Sequence, residues 1–216
     1  MLVQSQHYRK DEEDDPNALP QKLGIKIGIS PTWVNAPGMV NTRTQVGLQG
    51  GFYYRINLNR KNIHLHTEVT ANFRGARFDN GKEGYSRLGL FYMDIPVYLM
   101  ISFDKKQDHN LLFGPVFSHL VRPTLFVYDD PLPRFSDLPL KRYDIAAGLT
   151  YIRSFELIGL SVGFKYGLSN IVKSSFAEFG TPSSSGTKAI YLKDIQPSLA
   201  PVNSIKNLGF EFSLYF

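Results

Sequence analysis

From Leu23 onward the chain alternates apolar and small or polar residues with a period of two, the signature of β-strands with two unlike faces. Leu23, Ile25, Ile27 and Ile29 alternate with Gly24, Lys26, Gly28 and Ser30. Val46 through Ile56 alternate with Gln45, Gly47, Gln49, Gly51, Tyr53, Arg55 and Asn57, and Ile63, Leu65, Val69, Ala71 and Phe73 with His64, His66, Glu68, Thr70 and Asn72. A fourth segment sets Phe91, Met93, Ile95, Val97, Leu99, Ile101 and Phe103 against Tyr92, Asp94, Pro96, Tyr98, Met100 and Ser102. A fifth, over about 110–127, has no clean alternation, and its faces are left unassigned. The sixth sets Tyr143, Ile145, Ala147, Leu149 and Tyr151 against Arg142, Asp144, Ala146, Gly148 and Thr150. The seventh sets Ile158, Leu160, Val162, Phe164, Tyr166 and Leu168 against Gly159, Ser161, Gly163, Lys165, Gly167 and Ser169. The last sets Leu208, Phe210, Phe212, Leu214 and Phe216 against Gly209, Glu211, Ser213 and Tyr215.

Eight strands result, most of ten or more residues. Strands of soluble domains average about 5–6 residues, whereas about 9–11 are needed to cross a bilayer. The gaps after strands two, four and six (Asn59–Asn62, Asp104–His109 and Arg153–Ser154) read as short, and those after strands one, three, five and seven as long. Alternating short turns and long loops are the pattern of an outer-membrane up-and-down barrel, with the turns in the periplasm. The predicted fold is therefore all-β: an eight-stranded antiparallel transmembrane barrel over 23–216. Both termini are predicted to be periplasmic, with a flexible periplasmic arm over 1–22. That arm carries the acidic run Asp11–Asp15. No signal peptide is visible, and the numbering is read as starting after its removal.

Bulky apolar residues on one face and glycines on the other place the polar face inside, because the interior of a narrow barrel is crowded. That face gathers Lys26, Arg55, Arg142 and Lys165 with Glu68, Asp94, Asp144, Glu156 and Glu211. Near-balanced charge predicts a lumen filled with ion pairs rather than a pore, because unpaired charges there are costly. Aromatic girdles are predicted at Phe103, Tyr151, Phe155, Tyr215 and Phe216 on the periplasmic side. Trp33, Phe73, Phe78, Tyr85, Phe126 and Tyr128 are their counterparts on the external side.

Composition adds exclusions. The 216 residues include 16 Phe and 12 Tyr against one Trp. There is no Cys, which excludes disulfides, a thiol nucleophile and zinc–thiolate sites. The net charge of +5 is scattered, so a nucleic-acid partner is not expected. The glycines form no phosphate-binding loop.

His64, His66 and Glu68 share one face of strand three, adjacent positions lying about 6.6–6.8 Å apart. Such a trio can ligate a metal or do acid–base chemistry. No fourth ligand or nearby serine completes it, and it is assigned to a lumen hydrogen-bond network, with no metal, cofactor or catalytic residue predicted. Ser118 and His119 are adjacent and so face opposite sides of a strand, which argues against a Ser–His pair. The loop over 172–205 holds a flexible Ser/Gly tract, 181–187, and a more apolar stretch, 190–199, able to dock on a neighbour or fold over the mouth.

The final residues Leu208–Phe216, with Phe210, Phe212, Leu214 and terminal Phe216 alternating, resemble the signal read by barrel-assembly machinery. The segments Tyr92–Leu99, Phe113-Gly114-Pro115 and Phe164–Ile171 resemble the PorT-like outer-membrane barrels of the Bacteroidota, with an acidic residue before Ile-Pro and a Gly-Leu-x-Asn-Ile stretch. This resemblance implies a non-enzymatic structural or partner-binding subunit of a secretion or barrel-assembly type machinery. The implied partners are outer-membrane lipid and lipopolysaccharide, the barrel-assembly machinery during biogenesis, and other outer-membrane or periplasmic subunits. A lipid-modifying enzyme and a small-solute channel are the alternatives.

Overall fold

The computed structural model describes residues 22–35, 42–60, 62–79, 85–104, 106–126, 140–155, 157–171 and 206–216. They form eight strands: β1 Lys22–Asn35, β2 Thr42–Arg60, β3 Ile63–Asp79, β4 Tyr85–Ser102, β5 His109–Phe126, β6 Tyr143–Ser154, β7 Gly159–Gly167 and β8 Lys206–Tyr215. Each pairs antiparallel with its sequence neighbour, and β1 pairs with β8, so the sheet closes into a barrel. No helix occurs among the described residues. The seam runs from Lys26↔Tyr215 to Asn35↔Lys206, and Phe216 extends it by exchanging backbone hydrogen bonds with Ile25. Closure leaves no unpaired strand edge, which hydrocarbon would not tolerate.

The predicted faces of seven strands hold. Leu23, Ile25, Ile27 and Ile29 are exposed on the wall, while Lys26 and Ser30 are buried in the lumen. The same inversion repeats around the barrel, with Phe52, Val69, Ile95, Leu149, Val162 and Phe212 outward. A wall of large apolar side chains around a buried polar interior is the arrangement a lipid-embedded barrel requires.

The fifth strand now has faces. Asn110, Leu112, Val116, Ser118 and Leu120 point inward and are buried, and Phe113, Phe117 and Val121 are exposed. Its alternation is hidden because three inward positions are aliphatic. Two of them, Leu112 and Val116, complete an apolar block with Tyr53, Tyr98, Met100, Ala146, Ile152 and Tyr215. The lumen is thus filled by ion pairs and by this block, not by ion pairs alone. Inward glycines make the room: a Cβ on Gly148 would lie 2.5 Å from the Tyr98 hydroxyl, and one on Gly24 2.4 Å from the Tyr53 ring.

The expected strict alternation of loop lengths needs correction. The connections after β1 and β3 span 36–41 and 80–84, and the long ones follow β5 and β7. The reason is strand extension. β2 to β5 run 17–19 residues, beyond the roughly 9–11 that cross a bilayer. Their surplus lies at the long-loop end, since β6 ends at Tyr143 opposite His119 while β5 continues to Phe126. Lys22, expected in the arm, already belongs to β1. The remainder of the arm, the tracts at 181–187 and 190–199, Glu156 and Tyr128 lie outside the described residues.

Candidate functional site

Inside the barrel, alternate residues of neighbouring strands converge on an axis only a few side chains wide, so long charged side chains meet across it. Lys26 of β1 reaches Glu68 of β3 at 2.8 Å and Glu211 of β8 at 3.2 Å. Glu211 also binds Lys165 of β7 at 2.9 Å, and Lys165 in turn lies 3.5 Å from Asp94 of β4. Asp94 closes the chain on Arg74 of β3. Cations and anions thus alternate, Glu68–Lys26–Glu211–Lys165–Asp94–Arg74, with every side chain at most 10% exposed.

Neutral donors add to the carboxylates, although Asp94 Oδ1 is left without a hydrogen-bond partner. Tyr215 donates its hydroxyl to Glu68 Oε1 at 2.7 Å, and His66 Nε2 lies 3.0 Å from the same oxygen. Thr150 donates to Glu211 Oε1 at 3.1 Å, and Asn72 Nδ2 to Asp94 Oδ2 at 3.2 Å. Ser30 donates to Asn72 Oδ1 at 2.8 Å. The chain ties five strands together across the lumen. Beside it a polar void of about 10 Å³ remains between Ser30, Arg74, Lys165 and Glu211, the size of one water probe at most.

Of the predicted network, Lys26, Arg55, His64, His66, Glu68, Asp94, Asp144, Lys165 and Glu211 are all buried in the lumen. Arg142 is not. It is exposed, on the bend just before β6, because the strand starts at Tyr143 and no longer fixes its alternation. Arg74, which was missed, takes its place. It continues the inward parity of His64, His66, Glu68, Thr70 and Asn72, and its signal was lost by ending the third strand one residue early. With this exchange the described lumen holds four cations, Lys26, Arg55, Arg74 and Lys165, against four anions, Glu68, Asp94, Asp144 and Glu211.

His64 and Arg55 lie off the chain, towards the short turns. His64 does not join His66 on Glu68, and neither of its ring nitrogens has a hydrogen-bond partner. Among the described residues no three His, Asp or Glu side chains are grouped to hold a metal ion. Ser118 is buried in the lumen, and His119 stands on the outer wall with its ring 5.0 Å from that of Tyr143. Tyr215, assigned to the periplasmic girdle, is a lumen residue by parity and by its bond to Glu68. Phe103, Phe155 and Phe216 are exposed at the short-turn end as expected. At the opposite end Trp33 packs on Phe210, and Phe73 stacks on Phe91 at 4.6 Å. The side chains of Phe78, Tyr85 and Phe126 lie outside the described part.

The quoted motifs have structural positions. Asp94 of Asp-Ile-Pro is a charge-chain member. Leu168–Ile171 folds back over the mouth: Leu168 N donates to Ile145 O, Lys141 N donates to Ile171 O, and Ser169 Oγ donates to Asp144. Asn207 joins this cap by donating to Asp144 at 2.9 Å.

No family model matches the chain, and no curated protein matches its sequence. The PorT-like resemblance therefore rests on those motifs alone. Among solved structures, Ail, the attachment invasion locus protein of Yersinia pestis, in complex with the heparin analogue sucrose octasulfate, superposes with a TM-score of 0.51 at 10% identity. That match covers 91% of this chain and 98% of Ail. Neisserial surface protein A covers the same shares at 8% identity and a TM-score of 0.44. The likeness to Ail is one of fold: this chain has the eight-stranded outer-membrane barrel architecture.

Proposed function

We propose that the chain is an outer-membrane protein whose barrel acts as a non-enzymatic anchor or partner-binding subunit, working through its wall and rim rather than its lumen. The long-loop end faces outward and both termini face the periplasm. The observation that supports this reading is the buried, mutually neutralising charge chain. A lumen so filled gives a solute no path, and its carboxylates and histidines are out of reach of a lipid substrate. The finer assignment, to a secretion or barrel-assembly type machinery, follows from the motif resemblance.

The test uses the full chain. In planar bilayers it is expected to give no unitary conductance, and expressed in a host of defined lipid A it is expected to leave the lipid A mass spectrum unchanged. Reproducible large currents would make it a channel. A new acylated or deacylated lipid, lost on His64→Ala or His119→Ala, would make it an enzyme.

A further inference from the structure

Three of the four described lumen cations, Lys26, Arg74 and Lys165, hold carboxylates, and Arg55 holds none. The ionisable groups that act on it or feel its charge are Tyr53, Tyr215, His64 and His66, with no carboxylate among them. Its Nε is buried without a hydrogen-bond partner, and so are both ring nitrogens of His64. The two side chains are diagonal neighbours, since Arg55 stands opposite His66 and Asn57 opposite His64. Asp144, the described lumen anion outside the chain of ion pairs, is at the far mouth with Ser169 and Asn207. The described lumen is therefore neutral in sum but not along its axis, with an unmatched guanidinium towards the short turns. A buried charge in that position is costly unless an anion reaches it.

Arg55 is also where the chain enters the barrel. β1 begins at Lys22, whose partner on β2 is Arg55. β2 runs on to Arg60 and returns as β3 at Ile63, so this hairpin stands past the start of β1. The segment before Lys22 therefore leaves the barrel beside Arg55. It carries the successive acids Asp11-Glu12-Glu13-Asp14-Asp15, the last of them seven residues before Lys22. Seven residues reach at most about 25 Å. Eight strands spaced ~4.8 Å apart and tilted about 40° close on a mouth roughly 16 Å across. The acidic run can thus reach any point of that mouth. The acids described at this end, Asp104 and Asp108, are in the β4–β5 turn, where Asp104 already accepts bonds from Asp108 N and His109 N. Lys106 and Arg153, cations of the same end, are exposed to water, and Arg153 lies over the Phe155 ring.

We infer that Arg55 is the seat of an intramolecular latch: a carboxylate of the run Asp11–Asp15 binds its guanidinium and holds the N-terminal arm at the short-turn mouth of the lumen. Charge complementarity selects an acidic ligand. A guanidinium presents a fork of donors that matches a carboxylate, and the contact is stronger where water is partly excluded, as it is at a residue only 8% exposed. That separates Arg55 from the water-exposed Lys106 and Arg153. Tethering adds to the contact. A short linker keeps the local carboxylate concentration in roughly the millimolar range, so a bond too weak to hold a free peptide is populated. The latch is independent of which way the barrel faces in the membrane, and its failure would leave the anchoring role untouched.

The experiment is nuclear magnetic resonance relaxation on the full chain in detergent micelles at low salt. Backbone order parameters over residues 11–15 are expected near about 0.8 in the wild type and below about 0.6 in Arg55→Gln. Replacing the five acids by their amides touches no barrel residue. It is expected to lower the order of the arm equally and to shift the Arg55 Nε–Hε resonance. Lys106→Gln removes an exposed charge at the same end, controls for diffuse attraction, and is expected to leave the arm ordered. A heat-dependent gel shift confirms that each variant is a folded barrel. Order parameters over 11–15 that are already below about 0.6 in the wild type, or that Arg55→Gln leaves unchanged, would overturn the latch. An Arg55 resonance that ignores the charge of the arm but moves on titration with inorganic phosphate would give the site to a free anion and overturn it equally.

Discussion

At the scale of single residues, two carboxylates show how position decides what a charge does. Glu68 and its neighbours on the charge chain are buried, and each depends on a cation that depends on it. Lys26 is the link between Glu68 and Glu211. Lys26→Met removes that link and leaves buried carboxylates short of a partner, at a cost of about 3–5 kcal/mol. Urea unfolding followed by Trp33 fluorescence measures it, since the single Trp sits at the β1–β8 seam against Phe210. A loss below about 1 kcal/mol, the range of a surface pair, would mean that the chain contributes little. Asp104 is the opposite case, in a water-exposed turn. His109 N and Asp108 N donate to its two oxygens at 3.1 and 3.2 Å, and these bonds hold its carboxyl below the usual range. A lowered value in the folded state gives stabilisation that is fully present above the ordinary carboxylate range and is lost as pH falls below that range, through the lowered folded value. The stability difference between wild type and Asp104→Ala is therefore expected at pH 7 and should close only as pH falls below the ordinary carboxylate range. A difference that stays constant with pH would assign the turn's stability to something other than this charge.

At the scale of strands, parity carries most of the information, and it can be tested on β8. Phe212 is 46% exposed on the wall, and Ser213 is 5% exposed in the lumen, where it accepts a hydrogen bond from Gln49 Nε2 at 2.7 Å. Phe212→Lys near the bilayer midplane is expected to cost about 2–4 kcal/mol. Ser213→Ala leaves one Gln49 donor short of a partner and costs about 1–3 kcal/mol at most. Heat-modifiable protein recovered in membranes ranks the two, and the reverse ranking would invert the register of the strand. Parity was legible wherever the inward face is polar or glycine-rich, as on β2, β3 and β7. It was not legible on β5, where Leu112, Val116 and Leu120 point inward, because hydropathy cannot tell an apolar lumen block from lipid. Strand ends were less legible than faces. Arg74 was lost beyond one end and Arg142 wrongly gained beyond another, since charge alone does not say whether a strand continues. The pairing of Arg77 with Arg87 and of Gly75 with Gly89 could not be read from the sequence, because it depends on cross-strand register.

At the scale of the molecule, the barrel is lopsided. β2 to β5 continue past the level at which β6 to β8 end, and the outward residues change along them from Val69, Met93 and Ile95 to Arg77 and Arg87. This change marks where the hydrocarbon stops, since an arginine costs most at the midplane and little at an interface. The strands above that level stand in headgroups and water although their ladders are continuous with those below. Hydrogen exchange in detergent micelles should separate the two parts. Amides of Ile95, Val97 and Leu99 are in the lipid-covered part of the ladder and are expected to be protected for the longest times. Amides of Arg77 and Arg87 are expected to exchange much sooner, because local opening there exposes backbone to water rather than to hydrocarbon. Protection that is uniform from Ile101 to Arg87 would place the whole of β4 in the membrane. Arg77 and Arg87 would then lie within the hydrocarbon, where an arginine is costly.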